Sequence, residues 1–354
     1  MYFNDFLNDA FKTISDRDNS HKSISTKILP LKKELSPNKV ENFVSKIEKK
    51  EFSCKIAGVD SGFVSRKLSS VEVALIRLGG VIFSYNNSVL ENAEYFPSPV
   101  MLPEPVLLKS GLEKDEEQQS VSLERLRKEV SLSIEIIQKF KPRYLFIDGS
   151  IVPQYQDKPR EGSKIKDDYN SIINLFQNFY KTAEENNCIL ISTIEDSRGT
   201  RFVQMLEQLP NPITNNLNGL SDASLLDHFL LEKERTFCFS YTKNISLHAI
   251  LKDYQKDWAE SIFVFYLRAS NYDKPLRVEF ICKDKNKIHE IADEIASITY
   301  SLSSLHREYS YPSVLIEADL RARLNEQDIS MVYDKLIDKL GPRVMMRRNS
   351  RPFK

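Results

Sequence analysis

The stretch KIAGVDSGFVSRK, at residues 55–67, places a single aspartate at the end of a short apolar run. Two later stretches repeat the arrangement, RYLFIDGS at 143–150 and CILISTIEDSRGTRF at 188–202. A carboxylate at the end of a buried strand has lost part of its hydration, and packing alone gives no reason for a charge there. Asp60, Asp148 and Asp196 are therefore candidates for a functional site, although an aspartate before glycine is also a common turn residue.

Glycine is scarce in this chain, with ten residues in 354, and its positions are informative for that reason. Four of the ten lie within three residues of one of the acids: Gly58, Gly62, Gly149 and Gly199. Glycine is required where the chain turns tightly or where another backbone approaches closely. The glycines thus indicate special backbone geometry around the same acids.

Composition limits the class of protein but does not indicate a partner. Fifty Lys and Arg residues balance fifty Asp and Glu residues, so any contact with nucleic acid has to be a local basic patch. The four cysteines are far apart, which excludes a C-x-x-C zinc site and indicates reduced thiols. No apolar run reaches the roughly 18 residues that a bilayer requires, and the N-terminus carries acids where a signal peptide carries bases. We expect a cytoplasmic protein with no membrane segment.

The hydrophobic pattern of the first third predicts two helices followed by strands. Apolar residues recur at helical spacing over 3–14, a polar linker follows at 15–27, and a second helix is predicted over 38–50. Short β-rich runs from 55 to about 98 predict an antiparallel three-strand meander, and residues 99–112, with three prolines, predict a loop.

The remainder alternates helices and buried strands. A long helix at 116–140 precedes a strand at RYLFID, and a helix at 165–185 precedes a strand at CILISTI. Ser197 is predicted to cap a short helix after that strand. Three strands follow beyond residue 235, and then two helices at about 287–306 and 313–325. A basic tail, residues 341–354, ends the chain.

This order of elements is that of the ribonuclease H-like fold. We therefore predict an α/β fold with an RNase H-like core, a mixed central sheet flanked by helices, and helical additions at both termini. The predicted division is an N-terminal helical segment at 1–50, a nuclease-like domain at 51–340 and the tail. In this fold the first strand and its parallel neighbour, the fourth, bring their acids to one edge of the sheet, here Asp60 and Asp148.

Carboxylates gathered at one edge repel each other unless a cation lies between them. Hard oxygen ligands favour Mg²⁺ or Mn²⁺, and one or two such ions suit the attack of water on a phosphodiester. A third acid is expected from the long helix, where Glu129 and Glu124 are both candidates. Glu129 lies beside the apolar stripe of that helix, but the pattern does not exclude Glu124.

The chain resembles the NurA nuclease family. The resemblance rests on AGVDSG, LERLRKEV, LFIDGS, STIEDSRGTRF and YPSVLIEADLRARL, in this order, and spans about residues 50–325. It implies a metal-dependent DNA nuclease with an RNase H-like core. The family's activities are 5′ to 3′ exonuclease and single-strand endonuclease in DNA end resection, for double-strand break repair by homologous recombination.

The resemblance also implies a ligand set. By position, Asp60, Glu129 and Asp148 match the first metal ligands, and Tyr311 matches a tyrosine before proline. Two positions depart from the family pattern: Asp319 stands where a histidine is expected, and Glu195 where a lysine is expected. An aspartate can still bind Mn²⁺ or Mg²⁺, although the proton-transfer role of a histidine is lost.

Further residues are expected near the DNA. Arg198 would supply the positive charge missing at Glu195, with Arg201 beside it, while Asp196 and His306 are lower-ranked candidates for the site. Arginines in such segments are more often surface charges, and a lone histidine near tyrosines is more often structural.

The resemblance implies a homodimer that works with a HerA-like hexameric ATPase. The amphipathic N-terminal helix would contact the second copy or the translocase. Two alternatives remain at this stage: a catalytically weak or inactive subunit that binds DNA or a partner, and an actin-like or sugar-kinase-like ATPase that uses the same fold.

Overall fold

The structure is a computed structural model that describes residues 2–29, 41–69, 71–109, 111–208, 217, 219–341 and 343. The chain divides into two compact units. The N-terminal unit comprises Met1–Lys50, Thr193–Lys243 and Ser261–Pro312, and the meander unit comprises Glu51–Ser192, Asn244–Glu260 and Ser313–Lys354. None of the described helices combines the length and the apolar character that a membrane crossing requires.

The described strands are β1 (Val44–Lys46), β2 (Lys55–Lys67), β3 (Glu72–Asn86), β4 (Val89–Phe96), β5 (Glu104–Leu107), β6 (Tyr144–Asp148), β7 (Ile189–Ile194), β8 (Glu234–Thr236), β9 (Phe239–Ser240), β10 (Ile262–Arg268) and β11 (Leu276–Ile281). The described α-helices are α1 (Tyr2–Ile28), α2 (Lys114–Phe140), α3 (Lys166–Glu185), α4 (Arg201–Glu207), α5 (Asp222–Asp227), α6 (Lys256–Ala259), α7 (Ile288–Ser303), α8 (Ser313–Ala322) and α9 (Glu326–Leu340).

The meander unit contains the predicted three-strand meander. β2 pairs antiparallel with β3, and β3 pairs antiparallel with β4. β6 lies on the other side of β2 and runs parallel to it, with Ile56 opposite Tyr144 and Val59 opposite Ile147. The strand order β4-β3-β2-β6-β7 confirms the RNase H-like core and the mixed sheet.

Helices cover the sheet of this unit. The Ile136 side chain of α2 lies against Gly80 of β3, and both residues are in the core. α8 lies against β2 and β3 at positions where three glycines leave room for its backbone. A Cβ atom built on Gly58 would stand 2.8 Å from the carbonyl oxygen of Val314, and one on Gly79 would stand 2.6 Å from that of Ala318. On Gly62 it would collide with the carbonyl oxygen of Ala322. Close approach of a helix therefore explains why glycine is found beside Asp60.

The N-terminal unit is built on strands β1, β8, β10 and β11. β8 pairs antiparallel with both β1 and β10, and β10 pairs antiparallel with β11. Its core is rich in aromatic rings: Phe43 lies between 5.4 and 5.7 Å, centroid to centroid, from the rings of Phe202, Phe229 and Phe237. These contacts hold Phe43 in the core directly before strand β1.

Several local predictions were wrong. The helix predicted over 38–50 is not formed in its described part, because Val44–Lys46 pairs with Glu234–Thr236 as strand β1. The predicted linker at 15–27 continues helix α1, whose Ser25 is buried and donates a hydrogen bond to the carbonyl of Leu225. Tertiary contacts outweigh local propensity in both segments.

Three more differences are smaller. The loop predicted at 99–112 contains strand β5, which pairs with β3. Helix α9 follows α8, where no helix was predicted before the tail. Ser197 does not cap the short helix α4; Thr200 is at its N-cap, and the carboxylate of Asp222 accepts hydrogen bonds from the backbone nitrogens of Phe202 and Val203 at 3.0 and 2.9 Å. The basic tail, apart from residues 341 and 343, lies outside the described residues. The predicted domain boundaries stay a prediction.

Candidate metal centre and nucleic-acid site

Asp60 occupies a position that differs from the expected strand end. β2 continues to Lys67 and pairs with β3 along its whole length, with Asp60 opposite Gly79. The parallel pairing with β6 stops at Val59 and Ile147, so Asp60 and Asp148 are the next residues along the two strands. The acids are neighbours as predicted, although only β6 ends at this point.

The carboxylate of Asp60 is buried, with 8% of the residue exposed. Its Oδ1 accepts a hydrogen bond from the backbone nitrogen of Ser61 at 2.7 Å. Burial, with the charges of Glu129, Asp148 and Asp319, raises the pKa of Asp60 to about 7, and the hydrogen bond from Ser61 opposes this rise. The structure thus gathers four acids of the meander unit around one spot.

Glu129 of α2 is the second buried acid, with 5% of the residue exposed. Its Oε2 accepts a hydrogen bond from the Ser61 hydroxyl, and Nη1 of Arg125 lies 3.5 Å away. Burial raises the pKa of Glu129, while Arg125 and Ser61 oppose that effect. Glu129 is therefore held at the acid cluster from two sides.

Glu124, the alternative acid on the same helix, has other partners. Its Oε2 lies 3.4 Å from Nε of Arg127, three residues along the helix. Arg127 in turn donates a hydrogen bond to Ser171 of α3 at 3.2 Å. Since Glu129 is the charge that raises the pKa of Asp60 most, the geometry favours Glu129 as the helix acid of the cluster.

Asp148 and Asp319 are the more accessible members of the cluster. Asp148 is exposed at the end of β6. Asp319 lies on α8, with its side chain 51% exposed, and its Oδ2 is 3.3 Å from Nη2 of Arg323 on the following turn. The glycine contacts of β2 and β3 set the position of this helix and thereby of Asp319.

Chemically, the cluster suits a hard divalent cation. All four donors are carboxylates, the ligands that Mg²⁺ and Mn²⁺ prefer. A cation would compensate the buried charge of Asp60 and relieve its repulsion by the other acids, which together raise its pKa. Within the described ranges, no three Asp, Glu, His or Cys side chains are grouped tightly enough to hold a metal ion as they stand. Metal binding would therefore require a rearrangement of side chains, and Asp148 and Asp319 are the more accessible of the four acids.

Tyr311, which the resemblance placed in the site, belongs to the N-terminal unit. It is buried, and its hydroxyl donates a hydrogen bond to the carbonyl oxygen of Thr193 at 3.0 Å. Its ring lies 5.9 Å from that of Tyr309. This environment gives Tyr311 a structural role within its own unit, and a role toward water or phosphate stays a prediction.

The remaining predicted residues also lie in the N-terminal unit. Arg198 is exposed. Asp196 is exposed as well, with Oδ1 3.5 Å from Nζ of Lys274. His306 is exposed, and its Nδ1 accepts a hydrogen bond from the backbone nitrogen of Tyr309 at 3.1 Å. Tyr309 also donates to Glu195, at 2.5 Å.

Arg201 is only half exposed, at the first residue of α4. Its Nε and Nη1 are buried without a hydrogen-bond partner among the described residues. Burial lowers the pKa of Arg201, and the nearby charge of Asp222 opposes this. The structure does not bring these residues together with the acid cluster inside one unit.

Sequence reasoning missed Ser61 and Arg125, which both contact Glu129. Each had a signal: Ser61 follows Asp60 directly, and Arg125 precedes Glu129 by four residues on a predicted helix. Sequence reasoning also missed a cavity of about 210 Å³ in the meander unit, lined by Arg125, Glu129 and Asp148 among others.

A model of the NurA domain matches residues 54–324. The chain belongs to the NurA family. This match covers most of the chain, including all four acids, and confirms the resemblance drawn from the short motifs. Membership of this nuclease family favours hydrolysis of nucleic acid over the actin-like or sugar-kinase-like alternative. A comparison with curated proteins finds no match to this chain.

Two solved NurA structures share the fold of this chain, and a third is less similar. The NurA nuclease from Sulfolobus solfataricus is 19% identical, with 94% of this chain and 98% of that chain covered and a TM-score of 0.57. A second NurA is 10% identical, with 96% and 98% covered and a TM-score of 0.52. A NurA with manganese is 10% identical, with 95% and 99% covered and a TM-score of 0.49. For the first two structures, the likeness at these identities concerns the fold alone.

Proposed function

We propose that the protein is a metal-dependent DNA nuclease that hydrolyses phosphodiester bonds. The observation that carries this proposal is the acid cluster: the buried Asp60 carboxylate experiences the charges of Glu129, Asp148 and Asp319. Four acids around one spot destabilise a fold unless a cation is bound there. A family of nucleases supplies the matching chemistry.

Asp60, Glu129, Asp148 and Asp319 would hold Mn²⁺ or Mg²⁺. Bound there, such an ion would supply an activated water and charge stabilisation at the leaving oxygen. The protein's own contribution is geometric. The long strand fixes the backbone of Asp60, and the Ser61 hydroxyl orients the carboxylate of Glu129. The exposed side chain of Asp148 lies next to Asp60, where a DNA strand can approach from solvent.

The decisive experiment is a cleavage assay on end-labelled single- and double-stranded DNA with Mn²⁺, Mg²⁺ or EDTA. The wild type should degrade DNA with a metal ion and not with EDTA. Asp60→Asn should lower the rate by at least 10³-fold. Asp196→Asn, which changes an exposed acid of the N-terminal unit, should stay within twofold of wild type. Cleavage by Asp60→Asn at the wild-type rate would refute the proposed site.

A second candidate function is a weakly active or inactive subunit that binds DNA. Two observations favour it: Asp319 is ion-paired with Arg323, and Glu195, where the family has a lysine, accepts a hydrogen bond from Tyr309. The same assay discriminates. Metal-independent DNA binding without cleavage, with or without a HerA-like translocase, would support this candidate. Restoration of cleavage by Asp319→His would identify the departure that is responsible.

We further propose that the protein is a homodimer and that helix α1 forms part of the contact. Phe3, Phe6, Phe11 and Ile14 lie at helical spacing and are each 66 to 73% exposed. An apolar stripe of this kind is typical of a helix that packs against a partner. Light scattering should show a dimer for wild type and a monomer for Phe6→Glu/Phe11→Glu. Lys12→Glu, on the opposite face of α1, should remain a dimer.

The finer assignment to DNA end resection rests on the family resemblance. We propose 5′ to 3′ exonuclease and single-strand endonuclease activities, in concert with a HerA-like hexameric ATPase. The test is degradation of 5′- and 3′-labelled duplexes with and without such an ATPase. Release of label from the 5′ end first, with a faster rate in the presence of the ATPase and ATP, is expected.

A further inference from the structure

Arg125 occupies an unusual place in the meander unit. It is the only cationic residue among those described that line the cavity beside Glu129 and Asp148. Its side chain is 30% exposed. Its Nη1 is 3.3 Å from the Ser61 hydroxyl and 3.5 Å from Oε2 of Glu129, which are long distances for hydrogen bonds. The guanidinium is therefore loosely held at the border of the acid cluster.

A simpler role for Arg125 would be to stabilise helix α2 through the pair with Glu129. That role explains little. Helix pairs four residues apart are most stabilising when the acid precedes the base, and here the base, Arg125, precedes the acid, Glu129. The charge of Arg125 does oppose the raised pKa of the buried Glu129, but it acts through one long contact of 3.5 Å. The pair also leaves most of the five guanidinium N–H donors without the planar, bidentate partner that suits an arginine.

A phosphodiester is the partner that suits this guanidinium. If the four acids held an ion that binds the scissile phosphate, the DNA strand would bring further anionic oxygens to the same border. Guanidinium binds phosphate oxygens through two parallel hydrogen bonds, which a lysine cannot reproduce. Arg198, the predicted phosphate contact, is exposed in the N-terminal unit, whereas Arg125 lies in the same unit as the acids.

We propose that Arg125 binds a phosphate oxygen of the DNA substrate at the acid cluster and stabilises the charge that develops during hydrolysis. This inference rests on the proposed nuclease function and adds to it a residue that contacts the substrate. Before DNA binds, Arg125 contacts Ser61 and Glu129; when DNA binds, it turns its remaining donors to the phosphate.

The test uses Arg125→Gln, Arg125→Lys and, as a matched control on the same helix, Arg127→Gln. Steady-state cleavage is measured with saturating Mn²⁺, and Mn²⁺ binding without DNA is measured by electron paramagnetic resonance. Loss of a charge-stabilising donor should lower kcat of Arg125→Gln on the order of 10²-fold. Arg125→Lys should recover part of this loss, and Arg127→Gln should stay within twofold of wild type. The dissociation constant for Mn²⁺ should change less than twofold in all three.

Two results would overturn the inference. One is a cleavage rate of Arg125→Gln within threefold of wild type. The other is a loss of Mn²⁺ affinity that accounts for the loss of rate, since Arg125 would then act only by positioning Glu129. If Arg125→Gln does not fold, Arg125→Lys decides, and a wild-type rate for the lysine variant overturns the inference. Failure of the proposed function looks different: the wild type itself would not cleave.

Discussion

The Ser61 hydroxyl donates a hydrogen bond to the carboxylate of Glu129, and this bond joins the residue after Asp60 to the long helix α2. Both residues are buried, with 7 and 5% exposed. The bond thus couples strand β2, which carries one acid of the cluster, to the helix that carries another. Loss of the hydroxyl would leave a buried carboxylate with one donor fewer.

Replacement of Ser61 by alanine should therefore reduce both stability and activity. Leaving a buried acceptor without its donor costs about 1–3 kcal/mol of unfolding free energy. We expect a loss of this size in urea unfolding and a roughly tenfold slower cleavage of DNA. Ser65→Ala is the control, because Ser65 is on the same strand and donates to Glu72 at 2.6 Å, away from the cluster. A wild-type rate for Ser61→Ala would show that Glu129 does not need this orientation.

Substitutions of the two candidate acids of α2 should have clearly different effects on nuclease activity. Glu129→Gln removes one of the charges that act on Asp60, whereas Glu124→Gln only breaks an ion pair with Arg127. We expect a loss of cleavage of at least 10²-fold for the first and less than twofold for the second. Equal losses of cleavage in the two variants would show that Glu129 is not the only acid of α2 that the site requires.

The metal-free protein should become less stable as the pH rises. The pKa of Asp60 is raised from 3.8 to about 7 in the folded state. Stability linked to this group is fully present below the unfolded pKa and is lost as the pH rises through the folded pKa. This difference between the folded and unfolded pKa corresponds to a loss of at most about 4 kcal/mol of unfolding free energy between pH 4 and pH 8.

Asp60→Asn tests this directly, because asparagine has no charge to bury. In EDTA, we expect the variant and the wild type to have similar unfolding free energies at pH 4, with the variant more stable at pH 8. Urea titrations at both pH values provide the measurement. A variant less stable than wild type at pH 8 would mean that the Asp60 charge is compensated within the fold.

Addition of Mn²⁺ should stabilise the wild type. An ion that binds only the folded state at 100 times its dissociation constant adds about 2.7 kcal/mol. At neutral pH the melting temperature should rise with Mn²⁺ for wild type and for Asp196→Asn, and should not rise for Asp60→Asn. This measurement is independent of cleavage. A rise of equal size in Asp60→Asn would place the metal elsewhere.

Contact between α8 and the glycines should make Gly79 intolerant of a side chain. Its Cβ would stand 2.6 Å from the carbonyl oxygen of Ala318, so Gly79→Ala must displace the helix that carries Asp319. We expect the unfolding free energy, measured in urea, to fall by about 1–3 kcal/mol and the cleavage of DNA to be slower. Gly162→Ala, at a positive φ of 78° with nothing within 4 Å of the added atom, should lose about 1 kcal/mol and keep full activity.

The sequence was sufficient to predict the core because hydrophobic periodicity and element order agree there. The meander, α2 and β6 have patterns that one fold satisfies, and the neighbouring acids Asp60 and Asp148 follow from that order. Phe43 shows where this reasoning ends: its segment reads as a helix, but a cluster of aromatic rings and the pairing with β8 hold it as a strand. Local sequence carries no information on such distant partners.

The contacts within the site were harder to predict than its acids. Arg125 and Ser61 are ordinary residues in sequence, and they acquire a role only because α2 lies across β2 at Glu129. The clustering of glycines beside Asp60 did predict a close approach, but the partner was not visible. Helix α8, about 250 residues later in the chain, provides it.

Strand β2 does not end at Asp60 but continues for seven more residues, paired with β3 to the end. The acid at the centre of the cluster therefore lies on one of the most constrained stretches of backbone in its unit, while Asp148 is at the exposed end of β6 and the side chain of Asp319 is 51% exposed. A site with two buried ligands, Asp60 and Glu129, and two ligands at the surface would accommodate cations of different ionic radius mainly through the surface pair. The choice between magnesium and manganese would then depend on the supply of ions in the cell, not on a cavity of fixed size.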